Sequence, residues 1–155
     1  MEIEIFYAEH SDLEQLVDLL AELFTLENDF HPDRGKQSRG LRLILDNPVL
    51  GKLFVLRDQS RVVGMANVLI TASTSEGCLV AVLEDVIVRG EYRGKGLGRR
   101  LVEHILAWAR MEGLARVTLL ADRDNKAALG FYRKLCFEHS HMVVLRRGVA
   151  SSSSC

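Results

Sequence analysis

The sequence predicts a single α/β domain in which a mixed β-sheet carries helices on both faces. Short apolar segments alternate with longer segments of helical spacing, in the order β-α-α-β-β-β-α-β-α-β. Strands joined as a hairpin then feed a strand–helix–strand unit, which requires a parallel pair. With 155 residues, the chain is long enough for one sizeable core. We expect the domain to span residues 1–147 and the serine-rich tail, 148–155, to be disordered.

The first half of the chain predicts a strand, two helical segments and a β-hairpin. Alternating apolar residues at 3–7 indicate the first strand, and Ser11, with Glu14 three residues later, is a predicted helix cap. An acidic loop follows, and the second helical segment is short. The predicted ranges are a helix to about Leu26, a loop at 27–33, a helical piece at 41–45, and hairpin strands at 53–57 and 61–71.

The second half predicts a buried strand, a glycine-rich turn and a long amphipathic helix, followed by three further elements. Apolar residues at 83–88, interrupted by Glu84 and Asp85, indicate the buried strand. The long helix continues to Arg110. The later elements are a strand at 116–121, a helix at 126–135 and a last strand at 137–146.

The glycine-rich turn is the segment around which we expect the function to be organised. Glycines let backbone N–H groups point into one concavity. The following helix adds unpaired first-turn N–H groups and the positive end of its dipole. Basic side chains at Arg93, Lys95, Arg99 and Arg100 surround it. The pattern therefore favours a phosphate or pyrophosphate ligand.

The spacing of the turn distinguishes among known phosphate loops. Gly94, Gly96 and Gly98 are spaced G-x-G-x-G, which fits neither the dinucleotide fingerprint nor a Walker loop. Arg93, Gly96 and Gly98 do fit R-x-x-G-x-G directly after an apolar strand, and this resembles the coenzyme A loop of the GNAT superfamily of N-acetyltransferases. The alternative interpretation of the turn is a glycine-rich connector between a strand and a helix, without a phosphate ligand.

A second motif strengthens the resemblance. Residues 125–137 are similar to the N-x-x-A-x-x-F-Y-x-x-x-G-F stretch of the family, with Cys136 where glycine is usual. The resemblance implies that acetyl-CoA is a co-substrate, that Asn125 contacts it and that Tyr132 points at its sulfur. The residues implied to bind the coenzyme are Val86, Ile87, Val88, Arg93, Gly94, Lys95, Gly96, Leu97, Gly98, Arg99, Asn125, Ala128 and Tyr132.

Acetyl transfer to an amine needs a base, a polarised carbonyl and a proton for the leaving thiolate. Glu84 is the expected base, acting directly or through water, and Asp85 is its alternative, since strand alternation lets only one of them face the site. The resemblance implies that the N–H of Val86 faces the thioester oxygen and that Tyr132 is the acid. A structural, salt-bridged Glu84 is the other interpretation.

The acceptor is the least determined part of the prediction. Leu26, Glu27 and Glu84 are candidate substrate contacts. Residues 22–27 weakly resemble the corresponding segment of diamine acetyltransferases, and this resemblance implies that Glu27 binds substrate. The acidic segment at 22–33 could bind a cationic amine, or could equally be a solvated loop. We expect an N-acetyltransferase acting by direct transfer in a ternary complex on a small amine. A protein lysine or N-terminal acetyltransferase and a non-catalytic coenzyme-binding module are the alternatives.

The composition limits the classes of binding partner that we expect. A net charge of −1 shows no nucleic-acid footprint, and no apolar run is long enough to span a membrane. Three widely separated cysteines and unclustered histidines predict a reducing compartment without a metal site. We expect a cytoplasmic protein, and the resemblance adds a homodimer as an expectation.

Overall fold

The structure is a computed structural model that describes residues 2–150 of the chain. The helices are short to medium in length, and two of the loops contain single-turn 3-10 helices at His10–Asp12 and Gly90–Tyr92. The strands are β1 (Ile3–Tyr7), β2 (Gly51–Asp58), β3 (Arg61–Ser73), β4 (Cys78–Val88) and β5 (Val117–Leu119). The helices are α1 (Leu13–Leu26), α2 (Arg34–Asp46), α3 (Leu97–Met111) and α4 (Lys126–Lys134).

The sheet is mixed, as predicted. Its strands follow chain order from β1 to β5. The first four are antiparallel neighbours, and β4 and β5 are parallel, with Ala81 opposite Val117. The parallel pair is the one that α3 connects, which confirms the strand–helix–strand unit.

Helices cover both faces of the sheet. On one face, Leu16 and Leu20 of α1 pack in a buried cluster with Val55 of β2 and Met65 of β3. On the other, the Phe54 ring lies 5.2 Å from that of Trp108 on α3. Neighbouring residues of β2 thus face opposite layers, which is the period-two alternation expected of a strand buried on both sides.

The predicted last strand is wrong. Residues 137–146 form neither helix nor strand, and Val143 and Leu145 are 82% and 91% exposed. Their branched side chains favour extended backbone, but a strand is fixed only by hydrogen bonds to a neighbour. Among residues 2–150, no strand pairs with the outer edge of β5. Of the predicted tail, 148–150 carry no regular structure, and 151–155 lie outside the described residues.

The start of the first helix and the extent of the second also differ from prediction. Ser11 does not cap α1, because a 3-10 turn precedes it and Glu9 and Asp12 form the capping box instead. Asp12 is buried and holds both terminal nitrogens of Arg57 at 2.6 Å. α2 begins at Arg34, well before 41, because the side chain of Asp33 accepts a bond from the Lys36 N–H and caps it.

The chain divides into two compact units, Met1–Asp122 and Arg123–Cys155, which are described separately below. The first contains the whole sheet and α1 to α3, and the second contains α4. Across residues 2–150, no helix is both long enough and apolar enough to cross a bilayer.

Candidate active site

A β-bulge in β4 lies at the centre of the first unit's candidate site. Met65 of β3 lies opposite Ile87 and Asn67 lies opposite Glu84, so Asp85 and Val86 together face one residue of β3. Asp85 has a φ of +55°, a left-handed conformation that aspartate tolerates better than most residues. A bulge of this kind re-aims the neighbouring side chains.

Beyond the bulge, one edge of β4 has an open backbone. The ladder with β5 ends where Leu83 lies opposite Leu119, and no other strand among residues 2–150 pairs with that side of β4. The Val88 carbonyl on this side accepts a 2.8 Å bond from Arg93 Nε. Alternation places the N–H and C=O of Val86 on the same side as those of Val88, whereas Ile87 faces β3. The open edge therefore offers the groups of Val86.

The glycine-rich turn has the conformation that its sequence predicts. Gly94 and Gly96 have φ values of +76° and +78°, and Gly96 is the N-cap of α3 without a side-chain cap. Ideal Cβ atoms at both glycines would meet open space, so the left-handed backbone, and not crowding by the protein, is what favours glycine here. The first-turn N–H groups of α3 are suited to an anion such as a pyrophosphate.

The basic residues around the turn have different partners. Arg93 donates from Nη2 to Glu22 of α1 at 2.7 Å, and Lys95 lies 5.4 Å from the ring centre of Tyr92. Arg99 pairs with Glu103 one turn along α3. Arg100 donates to the Ile3 carbonyl, so it fixes β1 to α3. Arg93 and Arg100, which supply positive charge near the turn, thus also make structural hydrogen bonds to other elements.

Carboxylates gather between the end of α1 and the bulge. The pKa of Glu27 is raised to about 7, mainly by burial and then by the charges of four neighbouring carboxylates: Asp85, Asp122, Asp29 and Glu84, in decreasing order of effect. Burial also raises the pKa of Asp85 to about 6. A bond from Asn67 lowers it, and the charge of Glu84 raises it. Glu27, Asp29, Glu84, Asp85 and Asp122 are called the acidic cluster below.

The members of the acidic cluster come from several parts of the first unit. The bulge interrupts strict alternation beside Glu84 and Asp85, and the charges of both raise the pKa of Glu27. Asp33, at the end of the acidic segment 22–33, caps α2. Asp122 was not predicted, because it follows β5 and is distant from the others in sequence. Leu26 lies at the end of α1 and is 62% exposed.

Asn67 is the residue of this site that sequence reasoning missed. It is 4% exposed, and its Nδ2 donates a 3.4 Å bond to Asp85 Oδ2. Its Oδ1 has no hydrogen-bond partner within the described part of the chain. Leaving a buried acceptor unpaired costs about 1–3 kcal/mol. The sequence feature that could have identified Asn67 is a single amide side chain in an otherwise apolar strand.

The second unit contains the second motif. Asn125 caps α4, its side chain accepting a 3.0 Å bond from the Ala128 N–H. The ring of Tyr132 lies 5.0 Å from that of Phe131 and 5.6 Å from that of Phe137. Asn125 therefore has at least a structural role, as a helix cap.

The turn after α4 keeps the left-handed geometry for which glycine is usual. Cys136 has a φ of +68°. Its N–H bonds the Arg133 carbonyl and the next N–H bonds the Tyr132 carbonyl, both at 3.0 Å. These two bonds define a Schellman motif. Cysteine in place of glycine therefore adds backbone strain at this turn but preserves the shape of the turn.

Carboxylates such as those of the acidic cluster are common ligands of metal ions. Among residues 2–150, no group of three or more histidine, cysteine or acidic side chains is arranged to hold a metal ion. The five carboxylates of the acidic cluster therefore do not form such a group.

Comparison with known proteins bears on the whole fold. The model of the "Acetyltransferase (GNAT) family" matches residues 13–137. A glucosamine 6-phosphate N-acetyltransferase of Trypanosoma brucei brucei is 31% identical over 139 residues, covering 88% of this chain and 90% of that protein.

Solved structures share the fold. A chain from Clostridium difficile 630, described as a "possible acetyltransferase", has a TM-score of 0.88 at 21% identity and covers 97% of this chain and 100% of its own. A predicted acetyltransferase with acetyl-CoA from Clostridium acetobutylicum has a TM-score of 0.77 at 13% identity, over 94% of this chain and 96% of that one.

Proposed function

The chain belongs to the GNAT family of acetyltransferases, and from that premise we propose that it acetylates a primary amine of a small molecule. The observation that supports this most is the order of groups along one strand and turn. The carboxylates Glu84 and Asp85 directly precede the open edge at Val86, and the glycine-rich turn follows five residues after Val88. Along the chain, the carboxylates for acid–base chemistry are thus followed by the backbone edge that would bind the carbonyl, and then by the anion site of the turn.

The proposed coenzyme is acetyl-CoA, which supplies an acetyl group activated as a thioester. Its pyrophosphate would accept hydrogen bonds from the backbone N–H groups of Gly94 to Arg99. The positive φ of Gly94 and Gly96 and the uncapped start of α3 fit such an anion. Val86 to Val88 would bind the pantetheine arm as an added strand, through the groups that face away from β3.

Glu84 is the proposed base. An ordinary alkylammonium has a pKa of about 10 and no lone pair, so it must lose a proton before it can attack a carbonyl. Glu84 would accept that proton directly or through water and pass it to solvent. Burial raises the pKa of its neighbours Asp85 and Glu27 to about 6 and about 7, because it disfavours their charged forms.

The remaining proposed groups polarise the carbonyl and protonate the sulfur. The Val86 N–H would donate to the carbonyl oxygen while the C–N bond forms and the C–S bond breaks, with its electron pair going to sulfur. Tyr132 would then give its proton to the sulfur and regain one from the acylated nitrogen. The role of Tyr132 rests on the family resemblance of its motif. The net products are an amide, the free thiol and one proton.

Acetyl-CoA consumption against a panel of amines tests the proposal. We expect turnover with a small amine and little with peptides that carry lysine or a free N-terminus. Acetyl label appearing only on peptides would instead support the protein acetyltransferase. Tight coenzyme binding without consumption against any amine would support the non-catalytic module.

A further inference from the structure

A side chain of the protein occupies one of the backbone groups on the open edge of β4. Arg93 Nε donates a 2.8 Å bond to the Val88 carbonyl, which faces away from β3. Within residues 2–150, no strand pairs with the N–H and C=O of Val86 or with the N–H of Val88 on this side. Between Val86 and Val88, the edge that stays open thus offers two donors and one acceptor.

A second bond holds the Arg93 guanidinium in this position. Its Nη2 donates to Glu22 Oε1 of α1 at 2.7 Å, and both side chains are partly exposed. Because the guanidinium is a rigid planar fork, two bonds from different nitrogens fix both its plane and its direction. The Glu22 carboxylate also balances the charge that a phosphate would otherwise attract. The Arg93 side chain is therefore directed to groups of the protein itself.

An occupied carbonyl limits how an added strand can pair with β4. Backbone groups on one side of a strand recur every second residue, about 7 Å apart, so an extended ligand can pair in registers that differ by this distance. In a register one step closer to the turn, the amide N–H of the ligand would meet the Val88 carbonyl, which already accepts from Arg93. In the register at Val86, the same N–H meets a free carbonyl, and this register is therefore favoured.

We propose that Arg93 is a positioning residue that sets the register of the coenzyme arm on β4, and that Glu22 holds Arg93 in place for this task. The inference rests on the proposed acetyltransferase function. In the register at Val86, the thioester carbonyl lies at the Val86 N–H, close to Glu84 along the strand. A shift of one step moves that carbonyl about 7 Å toward the turn, beyond reach of an amine held at Glu84. The backbone N–H groups of the turn, and not the Arg93 guanidinium, then bind the pyrophosphate.

Arg93→Lys separates the positioning role from direct phosphate binding. Lysine keeps the positive charge and can still pair with Glu22, but it has a methylene group where arginine has Nε. We expect kcat to fall by about 3- to 10-fold with the amine of the panel that wild type acetylates fastest, because kcat scales with the fraction of productively paired arms. The dissociation constant of coenzyme A in calorimetry should change by less than about threefold. Weaker coenzyme binding with wild-type kcat would show a phosphate ligand and overturn the proposal.

Two carboxylates of α1 supply matched variants. Glu22 pairs with Arg93 at 2.7 Å. Asp18, one turn earlier, forms a similarly exposed pair with Arg34 at 2.8 Å. Glu22→Ala should lower kcat as Arg93→Lys does, and Glu22→Gln should stay within about twofold of wild type, since its amide oxygen still accepts the bond. Asp18→Ala should leave kcat and coenzyme affinity unchanged. An equal loss of kcat in both alanine variants would mean that α1 acts through the fold, and it would overturn the proposal.

Crystal structures with coenzyme A bound locate the arm directly. In wild type, the amide N–H nearest the sulfur is expected on the Val86 carbonyl. In Arg93→Lys, a part of the arms is expected on the freed Val88 carbonyl. The same arm position in both proteins would overturn the inference and leave the acetyltransferase function intact. If wild type binds coenzyme A but acetylates no amine, the proposed function fails alone, and these two structures still decide the register.

Discussion

Replacing Cys136 with glycine is expected to stabilise the protein, and the geometry of the turn after α4 gives the size of the effect. Cys136 has a φ of +68°, in a region where an L-residue costs about 1–2 kcal/mol relative to ordinary backbone. Glycine removes that cost but loses more freedom on folding, by about 0.5–1 kcal/mol. The net gain in the free energy of unfolding should be about 0.5–1 kcal/mol.

The measurement is thermal unfolding under reducing conditions, with Cys136→Ala as the control. For a chain of this length, the gain corresponds to a rise in Tm of about 1–4 °C. Cys136→Ala removes the thiol but keeps the Cβ, so it should stay within about 0.5 kcal/mol of wild type. If the alanine variant gained as much as the glycine variant, the thiol would be responsible and the argument from backbone strain would be refuted.

Four other predictions concern the first unit and the proposed chemistry. Gly96→Val should abolish coenzyme A binding in calorimetry, because its φ of +78° is strained for valine; binding at wild-type affinity would contradict the turn assignment. Glu84→Gln and Tyr132→Phe should each lower kcat by about 10²–10⁴-fold with coenzyme affinity retained, and wild-type turnover in both would refute the mechanism. Gly51→Ala should lower Tm sharply, since its Cβ would lie 2.1 Å from a carbonyl oxygen of β3. The pKa of Glu27 is raised from 4.5 to about 7 in the folded chain, so its contribution to stability should fall as pH rises through that interval; Glu27→Gln should flatten this slope in unfolding scans, and an unchanged slope would count against the acidic cluster.

The parts of the fold that the sequence predicted well are determined locally. The strand, turn and helix around Gly96 follow from period-two and period-3.6 patterns and from glycines placed where the backbone needs positive φ. The hairpin turn at Asp58 to Ser60 is similarly local, and the structure places it between β2 and β3. The mixed sheet then follows from the order of these elements.

The parts that were missed depend on neighbours distant in the sequence. The segment 137–146 has strand composition but no partner strand among the described residues, so composition alone misled. The bulge at Asp85 depends on the register between two strands, which no single-strand pattern shows. Asp122 and Asn67 join the site only through the sheet, and neither has a motif that would single it out.

The two bonds of Arg93 connect the two functional sides of the first unit. Its guanidinium joins Glu22 near the end of α1 to the Val88 carbonyl at the end of β4. Arg93 therefore fastens the end of α1 to the backbone that leads from β4 into the glycine-rich turn, and removing its side chain would remove both contacts together.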